Sequence, residues 1–306
     1  MAEALSNFLA TKRYAVVTGG NKGIGFEICR QLASKGVIVL VTARDEKKGL
    51  EAVERLGDYG LSHLVLFHRL DVTDPASIAS LANFITTQFP KLDILVNNAG
   101  TAGAVKDPDA FSRAVKLAGG WPAEHINWNE ILTQTLEMAE ECLSTNYYGV
   151  KRMAEALVPL LQLSDSPRIV NVTSLLGTLK NVPGESVKGV LLDVNRLTEE
   201  RLDELLNKFL KDFKEGWLDK EGWPVYQSAY IVSKAAMNAY TRILAKKCPR
   251  FMINCVSPGF VMTDMNCNVG LLTVAEGAES CVREETVEYI TQNMWYPIYS
   301  PLVHEK

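Results

Sequence analysis

The chain has 306 residues, 47% of them hydrophobic and 22% charged, which are the proportions of a folded globular protein rather than a disordered one. Its 32 basic and 36 acidic residues give a net charge of -4, so nucleic acid and anionic membranes are not expected partners. No apolar run approaches the ~18 residues of a membrane span, and the first residues make a poor secretion signal. The six cysteines form no C-x-x-C pair and the four histidines lack metal-ligand spacing, so we expect a cytoplasmic protein without a metal.

Short β-branched runs alternate with amphipathic stretches through the first two thirds of the chain. The predicted strands are 14–17, 37–43, 64–67, 94–96, 169–172 and 252–256, and the predicted helices are 23–35, 47–55, 76–89, 135–161 and 233–246. Continuous apolar strands indicate burial on both faces, and the alternation predicts an α/β fold with a doubly wound parallel sheet of the Rossmann type. Without repeats or a low-complexity linker, 1–306 is predicted to form a single domain.

Two stretches interrupt the alternation. Residues 101–129 are rich in Gly, Pro and Ala, and residues 175–227 form an insertion after the fifth strand. Within the insertion, 197–214 reads as an amphipathic helix whose leucines share one side and are expected to pack against the rest of the domain. Both stretches follow the carboxyl ends of strands, where open α/β sheets bind their ligands.

A glycine-rich turn, TGGNKGIG at 18–25, joins the first strand to the first helix. Its spacing is T-G-x-x-x-G-x-G rather than the common G-x-G-x-x-G. Glycines here permit a tight turn and let backbone N–H groups approach a pyrophosphate at a helix N-terminus. A glycine-rich turn by itself is also compatible with a purely structural role. Its position after the first strand of an alternating chain favours dinucleotide binding.

The residues at the end of the second strand indicate which dinucleotide is bound. An acidic residue there holds the ribose of NAD, whereas an arginine accommodates the 2′-phosphate of NADP. Arg44 follows Ala43 at this position, and Lys22 lies in the glycine-rich turn. These two cations favour NADP(H) over NAD. The rival ribose ligand is Asp45, which we interpret instead as the N-cap of the next helix.

Several motifs in this order resemble those of the short-chain dehydrogenase/reductase family, over about residues 12–277. They are TGGNKGIG at 18–25, LDVTD at 70–74, NNAG at 97–100, the asparagine of STNYYG, VNVTSLLG at 170–177, YIVSK at 230–234 and SPGFVMTDM at 257–265. The long stretch before the tyrosine, with EGWP at 221–224, resembles the monomeric carbonyl reductase branch. Other segments are similar to the plant group of salutaridine and menthone/neomenthol reductases.

The resemblance implies four catalytic residues. The family's Y-x-x-x-K motif falls on Tyr230 and Lys234, and residues four apart share one helix face. Tyr230 would be the proton donor, and the Lys234 ammonium is expected to lower the phenol's pKa. Ser174 matches the serine that polarises the carbonyl, with Thr173 as the alternative hydroxyl, and Asn146 matches the asparagine of the proton relay. A second tyrosine, Tyr226, has no lysine four residues later and is expected to line the pocket.

The resemblance also implies contacts between the cofactor and several loops at the carboxyl end of the sheet. The predicted cofactor-binding residues are Thr18, Gly19, Asn21, Lys22, Gly23, Ile24, Gly25, Arg44, Asp71, Val72, Asn98, Ala99, Gly100, Tyr230, Lys234, Pro258, Gly259, Val261 and Thr263. The asparagines of NNAG are also expected to stabilise the central strand.

The implied activity is NADPH-dependent reduction of a ketone, or the reverse alcohol oxidation, on a hydrophobic terpenoid or alkaloid of plant secondary metabolism. The alternative is a sensor or scaffold that binds NADP(H) without turnover. An apolar substrate pocket is predicted from Ala102, Gly103, Val105, Phe111, Leu175, Leu176, Val182, Tyr226, Met262 and Met265. The insertion is expected to cover the helices through which other family members pair, giving a monomer, and to roof the pocket. The tail, about 280–306, departs from the plant relatives because it lacks their G-P-S-G strand.

Overall fold

A parallel sheet forms the centre of the computed structural model, which describes residues 11–117, 128–193 and 195–283. Six strands lie in the order β3-β2-β1-β4-β7-β8, so the predicted doubly wound parallel sheet is confirmed. The strands of this sheet are β1 (Tyr14–Val17), β2 (Ile38–Ala43), β3 (Val65–Arg69), β4 (Ile94–Asn97), β7 (Arg168–Val172) and β8 (Met252–Val256). A separate antiparallel pair, β5 (Val105–Lys106) and β6 (Leu132–Thr133), lies in the stretch after β4.

Helices cover both faces of the sheet. They are α1 (Gly23–Ser34), α2 (Glu46–Gly57), α3 (Pro75–Gln88), α4 (Pro108–Leu117), α5 (Leu136–Leu143), α6 (Gly149–Leu161), α7 (Glu185–Leu192), α8 (Glu199–Lys214), α9 (Ser228–Lys247) and α10 (Val274–Val282). Alternate strand residues face opposite layers: Val16 packs with the α3, α6 and α9 side, whereas Val17 packs with the α1, α2 and α10 side. This two-sided burial explains why β1 is apolar at every position.

The helix predicted over 135–161 is continuous but contains one wide turn. Between α5 and α6 the backbone takes a π-helical form over Ser144–Tyr148, which contains the predicted catalytic Asn146. Such turns insert one extra residue into a helix and often mark functional sites. The sequence pattern predicts the helix but carries no signal for this irregularity.

The insertion is an ordered layer built around Trp223. The Trp223 side chain is buried, and its indole Nε1 donates a hydrogen bond to Asp212 Oδ2 at 2.8 Å. The preceding Gly222 has a φ of 76° and lies so close to Gly184 that an added Cβ would sit 2.5 Å from the Gly184 Cα. The EGWP motif therefore holds the end of the insertion against its beginning, through the close contact of Gly222 with Gly184.

Helix α8 packs across the outer side of α5, α6 and α9. Leu202, Leu206 and Phe209 are fully buried along its apolar face, as the leucine stripe predicts. Polar contacts fix its position: the Tyr147 hydroxyl donates to Asp203 Oδ1 at 2.9 Å, and Lys151 Nζ donates to Asp203 Oδ2 at 2.8 Å. Helix α8 therefore covers the helices that the sequence analysis expects the insertion to cover.

Helix α9 begins at Ser228, rather than at Ser233 as predicted. The backbone N–H and the hydroxyl of Ser228 both donate to Gln134 Oε1, at 2.7 and 2.9 Å, so a residue distant in sequence caps the helix. The earlier start puts Tyr230 in the first turn and Lys234 one turn later on the same helix. No helix in the described ranges is long and apolar enough to cross a membrane. The tail beyond residue 283, where the sequence departs from the plant group, lies outside the described residues.

Candidate active site

The glycine-rich turn between β1 and α1 forms a cradle of bare backbone. Gly19 has a φ of 64°, a left-handed conformation that favours glycine. At Gly25 an added Cβ would lie 2.3 Å from the Gly19 carbonyl oxygen and 2.4 Å from Asn98 Nδ2. The turn therefore requires glycine at both positions, and the N-terminus of α1 is left open to a ligand, which fits the phosphates of a dinucleotide.

The NNAG turn is joined to this cradle through Thr18. The Thr18 hydroxyl accepts hydrogen bonds from the backbone N–H groups of Asn98 and Ala99, both at 2.9 Å, and Asn98 Nδ2 donates to the Thr18 carbonyl at 2.9 Å. Thr18 itself is buried and does not line the cleft. Its role is to fix two cleft-forming loops to each other, which differs from the predicted direct contact with the cofactor.

A cleft of about 830 Å³ runs along the carboxyl ends of the strands, a size typical of ligand sites. Most of the predicted cofactor residues line it: Gly19, Asn21, Lys22, Gly23, Ile24, Gly25, Arg44, Asp71, Val72, Asn98, Ala99, Gly100, Tyr230, Lys234, Pro258 and Thr263. Gly259 and Val261 do not line it. Val261 is buried and forms a β-bridge with Leu272, so it supports the cleft-lining Met262 from behind.

Besides Lys106 and Lys234, three cations line the cleft, and the sequence analysis names two of these three. Lys22 Nζ forms an ion pair with Asp264 Oδ2 at 2.8 Å, and Arg44 lies 3.8 Å from Glu141 Oε1. The third is Arg55, whose guanidinium stacks 4.3 Å above the Phe26 ring. The sequence analysis misses Arg55 because this residue lies in the last turn of α2, outside any motif.

The rival ribose ligand is already engaged. Asp45 Oδ1 accepts a hydrogen bond from the Lys48 backbone N–H at 3.0 Å, so Asp45 is the N-cap of α2 as interpreted. Arg44 is therefore the residue at the tip of β2 whose side chain faces the cleft.

Tyr230, Lys234 and Ser174 come together at one end of the cleft. Lys234 Nζ lies 5.8 Å from the centre of the Tyr230 ring and donates a hydrogen bond to the Val172 carbonyl at 2.7 Å. The Ser174 hydroxyl lies close enough to the Tyr230 phenol to lower its pKa, and Ser174 Oγ accepts a hydrogen bond from the Leu176 backbone N–H at 3.2 Å. The alternative hydroxyl, Thr173, lines the cleft, but Ser174 is the one that acts on the tyrosine.

Burial dominates the protonation of this group. Desolvation raises the pKa of Tyr230 to about 12, with the Ser174 hydrogen bond acting in the opposite direction. Desolvation lowers the pKa of Lys234 to about 8. The expectation that the Tyr230 pKa lies below its ordinary value is therefore wrong for this structure, because desolvation by burial is the largest influence on that pKa and raises it. At neutral pH the phenol is protonated and the ammonium is charged.

Asn146 is held rigidly at the π-helical turn. Its Oδ1 accepts from the Thr101 backbone N–H at 2.9 Å, and its Nδ2 donates to the Thr101 carbonyl and to Ser233 Oγ, both at 3.0 Å. The Asn146 side chain therefore ties the loop after β4 to the helix that carries Tyr230. Thr101 and Ser233 are positioning residues that sequence reasoning missed, since neither stands out from its neighbours in composition.

The packing around Gly177 explains why a glycine stands three residues after Ser174. An added Cβ at Gly177 would lie 2.6 Å from Lys234 Cβ and 2.8 Å from the Lys234 carbonyl carbon. The turn that begins at Ser174 thus needs a glycine three residues later so that α9 can approach it closely.

Buried asparagine side chains connect the centre of the sheet to α9. The first of them, Asn97, belongs to the NNAG motif, whose asparagines are expected to stabilise the central strand. Asn97 Nδ2 donates to Asn171 Oδ1 at 2.8 Å, and Asn171 Nδ2 donates to Thr241 Oγ1 at 2.9 Å. This chain of buried hydrogen bonds fixes α9 relative to β4 and β7.

The predicted apolar pocket is only partly reproduced. Ala102, Met262 and Met265 line the cleft. Phe111 instead packs in a small core with Trp128 and Leu132, and Leu176 and Val182 belong to the main core. None of the described residues lining this cleft comes from the insertion. The leucine face of α8 is buried against the outer side of the helices and cannot also cover the cleft.

The comparisons with known proteins agree with this fold. The family described as short chain dehydrogenase matches residues 13–187. The chain is 58% identical to (+)-neomenthol dehydrogenase of Arabidopsis thaliana, over 89% of this chain and 91% of that protein. It is 53% identical to salutaridine reductase of Papaver somniferum over 92% and 93% of the two chains, and 39% identical to carbonyl reductase [NADPH] 3 of Mus musculus over 88% and 89%.

The solved structure of the Papaver somniferum salutaridine reductase superposes with a TM-score of 0.83, covering 89% of this chain and 94% of that one. The doubly wound sheet, the glycine cradle and the matched length together define the class of protein. The chain belongs to the short-chain dehydrogenase/reductase family and is an oxidoreductase. The resemblance to the plant group and, more distantly, to carbonyl reductases is confirmed.

Proposed function

We propose that this protein reduces a ketone on a hydrophobic small molecule with NADPH, and that the same site oxidises the alcohol in reverse. The observation that carries the proposal is the meeting of the Tyr230 phenol, the Ser174 hydroxyl and the Lys234 ammonium beside the glycine cradle. The names of the relatives, neomenthol dehydrogenase, salutaridine reductase and carbonyl reductase, support the same reaction class.

The chain's own groups handle the proton and the developing charge. NADPH, when bound, supplies the hydride. The Tyr230 phenol, which is protonated at neutral pH because its pKa is about 12, donates its proton to the carbonyl oxygen. The Ser174 hydroxyl donates a hydrogen bond to the same oxygen as negative charge develops.

Lys234 and Asn146 support the loss of that proton. With a pKa of about 8 the Lys234 ammonium is charged at neutral pH and stabilises the phenolate that Tyr230 becomes. Asn146, fixed at the π-helical turn, supports the return of a proton to the tyrosine through this relay.

The charges at the tip of β2 support NADP(H) as the cofactor. Arg44 and Arg55 both line the cleft, and Asp45 is occupied as a helix cap. Lys22 contributes only if its ion pair with Asp264 opens or is shared with the phosphate. In this proposal residues 1–306 act as one NADP-binding domain, with the family's cofactor contacts carried by the residues that line the cleft.

The substrate class and the assembly follow from the same features. A terpenoid or alkaloid ketone of plant secondary metabolism suits both the relatives and the apolar part of the cleft, Ala102, Met262 and Met265. We further propose that the protein is a monomer, because α8 covers the helices on which other family members pair. We also propose a cytoplasmic location. The alternative, a sensor or scaffold that binds NADP(H) without turnover, is disfavoured because no residue of the family's active-site motifs is missing from the chain.

The decisive experiment compares Tyr230→Phe with the wild-type protein in a spectrophotometric assay of NADPH oxidation with a panel of monoterpene and alkaloid ketones. We expect turnover to fall by about 10²–10⁴-fold, the contribution typical of a general acid, with NADPH affinity nearly unchanged. The matched control is Tyr59→Phe, which removes an exposed hydroxyl outside the cleft and should leave turnover intact. Normal turnover in Tyr230→Phe would reject the assignment, and NADPH binding without any ketone reduction would favour the sensor.

A further inference from the structure

Lys106 is a cation in the wall of the reaction cleft that neither the family motifs nor the proposed chemistry uses. It lies at the end of β5, in the loop that starts at Thr101 beside the catalytic Asn146. The cleft it lines is the one that contains Tyr230, Met262 and Met265. Lys106 therefore lines the same cleft as the proposed proton donor.

The surroundings of this ammonium are poor in compensating groups. Its Nζ donates one hydrogen bond, to the Met265 carbonyl, and lies 5.1 Å from the centre of the Phe111 ring. Within the described ranges no carboxylate lies within 4.0 Å of it. Burial lowers the pKa of Lys106, and among its neighbours only Cys267 acts in the opposite direction.

An ammonium has three N–H donors, and the described contacts of Lys106 account for one of them. A partly desolvated charge without a counter-ion is costly unless something completes its hydrogen bonds. Apolar cleft residues around it, such as Met262 and Met265, offer no side-chain acceptor of comparable strength. A substrate in the cleft can supply such an acceptor.

We propose that Lys106 is a specificity-determining residue that selects ketones carrying a carboxylate, or another strongly accepting oxygen, at the end remote from the reacting carbonyl. This inference rests on the proposed ketone reduction. It narrows the substrate from any hydrophobic ketone to one that is apolar in the middle and has an acceptor at its far end. Tyr230 and Ser174 hold one oxygen, and Lys106 holds the other.

The test uses pairs of phenyl ketones that end either in a carboxylate or in its methyl ester, over a series of increasing chain lengths. The readout is the ratio of kcat/KM for the acid to that for the ester, measured for the wild type, Lys106→Met and Lys106→Arg. Methionine keeps the length of the side chain without its charge, and arginine keeps the charge. Lys116→Met, in the exposed last turn of α4, is the matched control for removal of a nearby charge.

We expect the wild type to prefer the acid at one chain length and Lys106→Met to lose that preference by about tenfold or more, the range of a charge-assisted hydrogen bond. Lys106→Arg should keep most of it, and Lys116→Met all of it. A purely structural role for the Met265 contact would change acid and ester alike and leave the ratio constant. An unchanged ratio in Lys106→Met, or a wild type without preference at any length, overturns the inference while ketone reduction stands. Reduction of neither series, nor of any ketone in the wider panel, overturns the proposed function itself.

Discussion

The close approach of Gly177 to Lys234 allows a sharp test of how the catalytic helix is placed. In Gly177→Ala the new Cβ would lie 2.6 Å from Lys234 Cβ and 2.8 Å from the Lys234 carbonyl carbon. The second of these atoms is backbone, so no side-chain rotation relieves the overlap. Either α9 or the turn after Ser174 must move.

The size of the movement sets the expected loss of activity. Carbon atoms in contact sit about 3.5–4.0 Å apart, so the two segments must separate by about 1 Å. A misplacement of about 1 Å in a catalytic constellation can cost about 10²-fold in rate. Overpacking of this kind also costs about 1–3 kcal/mol of stability. We therefore expect kcat to fall about 10²-fold and the variant to remain folded with a lowered melting temperature.

The assay pairs NADPH-dependent turnover with NADPH binding and thermal unfolding. Many of the predicted cofactor residues lie in the β1–α1 turn and at the tip of β2, which an added Cβ at Gly177 does not contact, so NADPH binding should fall much less than turnover. The control is Gly189→Ala in α7, where nothing lies within 4 Å of an added Cβ. That variant should keep its activity and gain about 0.5–1 kcal/mol from helix propensity. A fully active Gly177→Ala would refute the argument that this glycine positions the catalytic pair.

Further predictions follow from the charges and from the covering helix. Arg44→Asp should lower the NADPH over NADH preference in kcat/KM by about tenfold or more, because a charge-assisted contact to the 2′-phosphate is replaced by repulsion, and an unchanged preference would point to Arg55 or Lys22 instead. For ketone reduction, log kcat/KM should be flat near neutral pH and fall above about pH 8 as Lys234 loses its proton, while Tyr230 stays protonated up to about pH 12; a profile flat to pH 10 would contradict this. Light scattering should give a mass near 33.8 kDa, and a stable dimer would argue against the covering role of α8.

The sequence predicts the parallel sheet correctly and names Tyr230, Lys234 and Ser174, which the structure brings together. The strands and the glycine turn follow from apolar runs and glycine spacing, which are local signals. The π-helical turn at Asn146, the capping of α9 by Gln134 and the position of Arg55 depend on contacts between distant segments, and no local pattern marks them. The direction of the Tyr230 pKa was missed for a related reason: the nearby lysine can be read from the motif, but the desolvation that raises the pKa cannot.

The main helix of the insertion is placed differently from what its position in the sequence suggests. It begins after Ser174 and ends before Tyr230, which suggests a roof over the substrate, yet its main helix lies on the outer side of α5, α6 and α9. There, Asp203 of α8 accepts hydrogen bonds from the Tyr147 hydroxyl and from Lys151. Tyr147 is fully buried and adjacent to Asn146 in the π-helical turn, so α8 braces from outside the turn that places Asn146 inside. We therefore expect the insertion to influence catalysis by holding this turn in place rather than by contact with the substrate.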